Sequence, residues 1–379
     1  MHERGPSFRR PRRPRGPHRV LVVRLSAIGD VLHALPAIHA WKRARPDVEF
    51  EWLVEDRAAS VLAGHPSIAR LHVVPRGRWR ALRRSVGGRV RGWAEAARFA
   101  AGLLRRRFDL VVDLQGNGKS GLWSLLAGAP VRAGLATGAT REGNAFVTNR
   151  RVSVPATTVH RVERALGVAS RLAEVELTYS GTGLDAVRGD DAAARAEAFS
   201  TAALAERGLG ARTFAILHPG TSGFGSFKRW PPERFAALAD LVTTTSAAGV
   251  LITGGPGEEA LVDAVRARAR GAVATMITPD LASLAAVARR ARVFVAADTG
   301  PVHLAAAVGT PVLALFGPKG AAVYGPYGWR ADGTAGPLPV VVRDDVPCRP
   351  CTVRWCPEPV CMSAIDEREV LARVAPWLA

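Results

Sequence analysis

No apolar run in this 379-residue sequence is long enough to cross a bilayer. The longest, Leu304 to Phe316, is broken by Gly309, Thr310 and Pro311, whereas a spanning helix needs about 20 consecutive apolar residues. The first residues are rich in Arg and Pro, with no apolar segment behind a cleavage site. No signal peptide is therefore expected, and the cytoplasm is the expected compartment. Cysteine is scarce, with four residues in the whole chain, which excludes a small disulfide scaffold. No collagen-like or other short-period repeat is present. What is present is a globular composition: 48% hydrophobic and 22% charged residues exclude a disordered chain, and the length suits two to three domains.

Acidic residues are the other shortage. Asp and Glu number 33 against 52 Lys and Arg, leaving +19. Residues 1–19 hold seven Arg and one Glu, with Pro6, Pro11, Pro14 and Pro17 among them, and read as a disordered basic tail over 1–18. Residues 76–107 hold eleven Arg and one Glu. Such a local field selects an anionic partner: nucleic acid, an anionic membrane surface or a phosphorylated substrate. The bland alternative is a solvated Arg-rich helix. Nucleic acid is the weaker choice, because neither an RNA-binding aromatic signature nor zinc-finger spacing occurs.

Short apolar runs alternate with helix-like segments, twice over. Strands are expected at 19–25, 48–54, 70–74 and 108–114, then at 214–217, 249–253, 273–277, 292–296 and 311–316. Helices are expected at 232–241, started by Pro231-Pro232, and at 258–269. Runs such as Val20-Leu21-Val22-Val23 lack alternation, as strands covered on both faces do. The pattern predicts an α/β protein with two doubly wound, Rossmann-like domains, spanning 19–190 and 210–362. Residues 363–379 form a last helix expected to pack back on the first domain. Ligand is expected in the crevice at the carboxyl ends of the strands.

Three loops could carry chemistry there. The first runs through Ser26, Gly29 and Asp30 at the start of a helix. Its carboxylate either caps the helix or accepts a proton from a substrate hydroxyl. The second, His218 to Ser222 with Lys228 beyond, offers hydroxyls, backbone N–H groups and a cation for phosphate, or is a plain surface loop. The third, Asp298-Thr299-Gly300-Pro301-Val302-His303, opens a helix whose N-terminus suits an anion. Gly254 to Glu259 is a weaker candidate, offering an acidic side chain to ribose hydroxyls. Gly118-Lys119-Ser120 fails as a phosphate-binding P-loop, because Asp113 stands where the first glycine is required. No G-x-G-x-x-G follows the first strand, which disfavours a dinucleotide dehydrogenase. The cysteines fall at Cys348, Cys351, Cys356 and Cys361, a spacing open to structural zinc, an iron–sulfur cluster or metal-free thiols.

Taken together and in this order, four stretches resemble glycosyltransferase family 9, the ADP-heptose:lipopolysaccharide heptosyltransferases. They are Val20–Pro36, Asp113–Gly116 with Lys119-Ser120, His218–Thr221 with Lys228 and Trp230-Pro231, and Asp298–His303, and the terminal Cys356–Ile365 stretch adds to them. The resemblance covers about residues 19–375. It implies the GT-B fold, an active site between two Rossmann-like domains, and inverting transfer of heptose from an ADP-sugar to a phosphorylated inner-core acceptor with no catalytic metal. It implies Asp30 as catalytic base and Lys228 as the cation meeting the donor phosphates. Thr221, Ser222, Glu258 (or Glu259), Asp298, Thr299, Gly300 and His303 would bind donor, and Ser26, Gly29, Gln115 and Lys119 acceptor. A lipid-linked anionic acceptor would place the enzyme at the inner leaflet, and the 76–107 stretch would face the acceptor's phosphates or the leaflet itself. The same fold with another nucleotide-sugar, an epimerase, or a non-catalytic nucleic-acid module remain the alternatives.

Overall fold

The computed structural model describes residues 19–136, 140–184, 191–221, 223–343, 345–348, 351, 353 and 356–379. The basic tail 1–18 and Ser222 lie outside the described residues.

The first half of the chain runs β1 (Arg19–Val23), α1 (Ile28–Ala44), β2 (Glu49–Glu55), α2 (Asp56–Ala59), β3 (Arg70–Val74), α3 (Arg76–Leu82) and α4 (Val86–Arg105). It continues through β4 (Leu110–Asp113), α5 (Gly118–Leu126), β5 (Val131–Leu135), β6 (Arg150–Val152) and α6 (Arg161–Ala173). The second half runs α7 (Asp191–Glu206), β7 (Phe214–His218), α8 (Pro232–Thr245), β8 (Gly249–Gly254), α9 (Glu259–Arg266), β9 (Ala274–Ile277) and α10 (Leu281–Ala288). Then follow β10 (Val293–Ala297), α11 (Gly300–Ala307), β11 (Val312–Phe316), α12 (Ala321–Tyr324), β12 (Tyr327–Trp329), β13 (Ala335–Pro337), β14 (Val340–Val342), α13 (Val360–Ser363) and α14 (Glu367–Leu378).

Two parallel six-stranded sheets result, ordered β3-β2-β1-β4-β5-β6 and β14-β11-β10-β7-β8-β9. Read from β9, the second repeats the order of the first. In each sheet the strand order reverses between two central strands, β1 and β4 in one, β7 and β10 in the other. The loops leaving those four strands therefore open a crevice at the carboxyl edge. All the motif loops except the Gly254–Glu259 turn, which follows β8, leave these four strands.

The expected strands are all present. β5, β6, β12, β13 and β14 are additions that the apolar pattern did not signal; all but β5 are only three residues long, and β6 begins with two exposed arginines. The segment between the two expected domains folds as α7 and lies along α10. The last helix is a correction. It packs on α8 and the ends of β10 and β11, not on the first domain. Val370, Val374 and Leu378 recur every four residues and join the core on the outer face of the second sheet. Trp230 Nε1 donates to the Ile365 carbonyl at 3.1 Å, and Arg234 pairs with Glu367.

One apolar core runs continuously through α1 and α6 of the first half and α11 of the second. The two halves thus meet through α1 and α11, whose N-termini carry two of the three chemistry-bearing loops.

Candidate active site

α1 and α11 approach each other end to end. A Cβ on Gly29 would lie 2.7 Å from His303 Cδ2, and a Cβ on Gly300 would lie 3.0 Å from Ile28 Cβ. Glycine at both positions lets the helix starts touch, which brings Asp30 of one half opposite Asp298 and His303 of the other.

Asp30 sits in the first turn of α1. Its Oδ1 takes Arg24 Nη2 at 2.8 Å and Arg161 Nη1 at 3.4 Å. Its Oδ2 has a 3.4 Å approach from the Ala27 amide. One carboxylate oxygen is thus held by two guanidinium groups, while the other has only the longer approach from Ala27 among these contacts, and Asp30 lines the cleft. Arg24 is buried, and it also donates to the Leu114 carbonyl. Burial pushes its guanidinium below the usual range against the pull of Asp30. Arg161 donates to Tyr324 Oη at 3.2 Å and lies 4.6 Å over the Tyr324 ring.

Asp30 stands where two cavities adjoin. The smaller, about 540 Å³, lies in the first half and is lined by Ser26, Gln115, Asn117, Glu142 and the four arginines Arg24, Arg141, Arg161 and Arg164. Those cations outnumber its acids, so the cavity suits an anion. The larger, about 800 Å³, lies between the halves and is lined by Thr221, Lys228, Arg229, Gly255 to Glu258, Asp298 to Pro301, His303 and Lys319. Ala27, Asp30, His33, Arg161 and Tyr324 line both.

In the larger cavity Lys228 Nζ meets Asp298 Oδ2 at 2.6 Å, and His303 Nε2 lies 3.5 Å from Asp298 Oδ1. Burial raises the Asp298 carboxyl, but His303 and Lys228 outweigh it and hold it below its usual value. The carboxylate therefore stations a cation at the N-terminus of α11, beside its unpaired N–H groups. Arg229 Nε donates to Thr221 Oγ1 at 3.0 Å. Glu258 Oε2 accepts from the Gly255 amide at 2.8 Å, and its carboxylate lies where a side chain on Gly220 would project. Glu258 lines the cavity and Glu259 does not, bonding instead to the Gly257 amide at 3.1 Å. His218 is buried, bonds Thr253 Oγ1 at 3.0 Å, and is pushed by burial to about 4.

A histidine cluster ties the halves together behind Asp30. His33 Nε2 and His160 Nε2 both reach the Gly325 carbonyl, at 3.1 and 3.0 Å. A carbonyl only accepts, so both rings donate N–H there. The His33 and His303 rings pack edge to face at 4.6 Å. Burial, then His303 and His160, push His33 well below its ordinary value, and burial takes His160 to about 4.

A model of glycosyltransferase family 9 (heptosyltransferase) matches residues 96–359. The chain belongs to glycosyltransferase family 9. Lipopolysaccharide heptosyltransferase 1 of Pseudomonas aeruginosa is 33% identical over 340 residues, covering 89% of this chain and 87% of the relative. The protein of that name from Escherichia coli K12 is 31% identical, covering 82% and 91%. Among solved structures, E. coli heptosyltransferase WaaC with ADP-2-deoxy-2-fluoro heptose superposes with a TM-score of 0.71 at 24% identity, covering 94% of this chain and 99% of that one. A family 9 glycosyltransferase from Veillonella parvula gives 0.73 at 21% identity, covering 95% and 97%. The fold is GT-B, as expected, and the chain is a glycosyltransferase.

Not every residue expected at the family 9 site faces the cleft. Gln115 Oε1 accepts from the Leu25 amide at 2.7 Å and the Ser26 amide at 3.4 Å, so it shapes the loop that carries Asp30 while its side chain lines the smaller cavity. Lys119 pairs with Glu55 and lines neither cavity. The structural metal site expected at the four cysteines finds no support. Among the described residues no group of His, Cys, Asp or Glu is arranged to hold a metal ion. Cys361 is packed in the core on the outer face of the second sheet, Cys356 Sγ contacts the Glu358 carbonyl at 3.2 Å, and Cys348 is exposed.

Arg24, His33, His160, Arg161, Arg229 and Tyr324 were not singled out from sequence. Arg24 carried one signal, a charged residue closing an apolar strand directly before the Gly29-Asp30 loop. His33, three residues after Asp30, and Arg229, next to Lys228, lay within or beside the motif stretches, whereas His160, Arg161 and Tyr324 come from distant segments and carried none.

Among the described residues no helix is long and apolar enough to cross a membrane.

Proposed function

We propose that this chain transfers a heptose from ADP-heptose, with inversion and without a catalytic metal, to a phosphorylated Kdo–lipid A-type acceptor at the inner leaflet of the membrane. The observation that carries the reading is the place of Asp30, at the junction of an arginine-lined cavity and the Lys228–Asp298–His303 cradle. The nature of the donor sugar rests on the names borne by the relatives.

In this reading ADP occupies the larger cavity. Its diphosphate lies against Lys228, Thr221 and the N-terminus of α11, and Glu258 takes ribose hydroxyls through the oxygen not used by the Gly255 amide. The acceptor occupies the smaller cavity, its anionic groups against Arg141 and Arg164. Asp30 Oδ2 removes the proton of the acceptor hydroxyl as that oxygen bonds the anomeric carbon. The bond from that carbon to the β-phosphate oxygen breaks on the opposite face, which inverts the centre. Negative charge gathering on the departing diphosphate is met by Lys228 and the helix N–H groups, preorganised where the charge develops. General-base assistance of this kind is worth about 10²–10⁴ in rate. Arg24 and Arg161 act on the other oxygen of Asp30 and aim Oδ2.

Calorimetric titration separates the donors. ADP-heptose should bind, and UDP- and GDP-sugars should bind at least tenfold more weakly. Equal affinity for a uridine or guanosine sugar would overturn the donor assignment.

A further inference from the structure

The 76–107 stretch contains a face that the catalytic reading does not use. α4 is turned into the fold by Leu103, which is buried, and by Phe99, which packs against Trp79 and Trp123 beneath the first sheet. A second apolar stripe runs along its opposite side at Val86, Val90, Trp93, Ala97 and Leu104, spaced four, three, four and seven residues apart. That spacing keeps them on one line of a helix. They are exposed, Trp93 by 75%, Val86 by 68%, Val90 by 67% and Leu104 by 56%. Soluble helices rarely leave such a line of aliphatic and aromatic side chains in water.

Exposed arginines flank the stripe on both sides, Arg89 along one edge and Arg91, Arg98 and Arg105 along the other. Leu104 reaches the end of α5 at Gly128. The outer side of α5 exposes Leu122, Leu125 and Leu126, while the turn before it, at Gln115 to Asn117, lines the arginine-rich cavity.

We infer that the outer face of α4 and α5 is an in-plane docking surface for an anionic lipid bilayer, with Trp93, Val90 and Val86 entering the headgroup–acyl boundary and the flanking arginines meeting lipid phosphates. A helix with one apolar line edged by arginines is the form such contact takes. Nucleic acid shares the charge but gives no favourable partner to a line of valine and leucine. The surface deepens the inner-leaflet part of the proposed function and rests on it, since the turn before α5 then brings the acceptor cavity to the membrane.

The test is flotation of the full chain with phosphatidylcholine vesicles and with vesicles one-third phosphatidylglycerol. The unsubstituted chain should bind the anionic vesicles, and binding should fall as salt rises. V90S/W93S keeps every charge, the basic tail included, and should weaken anionic vesicle binding by about tenfold. Trp93→Phe should retain binding. Unchanged vesicle binding in V90S/W93S overturns the proposal, as does binding to a duplex RNA that anionic vesicles do not displace. Turnover of a water-soluble, deacylated acceptor should be unaffected by V90S/W93S. Loss of vesicle binding with that turnover intact supports the surface, whereas failure of the unsubstituted chain to turn over any acceptor would remove the transferase reading and leave the vesicle result standing.

Discussion

Gly29 lies against the ring of His303, so close that a single added carbon would fall 2.7 Å from Cδ2. The two residues belong to opposite halves of the chain, and their contact sets the distance between the carboxylate of Asp30 and the cation cradle. Gly29→Ala should force that ring or the α1–α11 approach to give way, at a cost of about 1–3 kcal/mol. Urea unfolding measures the loss, and calorimetry with ADP should show weaker binding, since His303 lines the donor cavity.

Asp30→Asn keeps the shape of the side chain and removes its ability to take a proton. Turnover should fall by about 10²–10⁴, with ADP affinity changed less than twofold. Single-turnover rates set beside calorimetry give the answer; full activity would take Asp30 out of the mechanism.

Lys228→Ala should act on both binding and rate, because its ammonium meets charge present in the bound donor and growing in the transition state. ADP affinity should fall about tenfold or more, and turnover with it. A loss in turnover alone would mean that Lys228 does not touch the ground-state diphosphate.

The histidines give a pH dependence of stability with a definite sign. His160 and His218 are held near 4 by burial, and His33 lies well below its ordinary value for the same reason, added to by its histidine neighbours. Each folded pKa lies below its unfolded value of about 6.5, so the unfolded chain binds more protons between them. Stability is full above about 6.5 and is lost as pH falls towards about 4, by roughly 3 kcal/mol for each of His160 and His218. Chemical denaturation at pH 7.5, 6 and 5 checks this, and His160→Gln should flatten the slope.

The thiols should behave separately. Cys348→Ser should leave the unfolding midpoint within about 0.5 kcal/mol, as exposed substitutions do. Cys361→Ser puts a hydroxyl into an apolar core and should cost about 1–3 kcal/mol. Dialysis against a chelator should leave both midpoints unmoved.

The sequence alone determined the architecture and the loops. Unbroken apolar strands such as Val20 to Val23 must be covered on both faces, and that requirement dictates parallel sheets with helices on either side. Once the sheets are doubly wound, the loops after β1, β7 and β10 must open at the reversal of strand order. Asp30, Lys228 and Asp298 were therefore legible as neighbours of a cleft. Tertiary structure decided what these groups touch, because side-chain direction turns by about 100° per helical residue. It chose Glu258 over Glu259, gave Lys119 to Glu55, and carried α14 to the second half through Val370, Val374 and Leu378. It also brought Arg161 to Asp30, and His33 and His160 to one carbonyl, from segments far apart along the chain. Local pattern encodes which face of an element is apolar; which distant charge completes a buried pair is set only when the two halves close on each other.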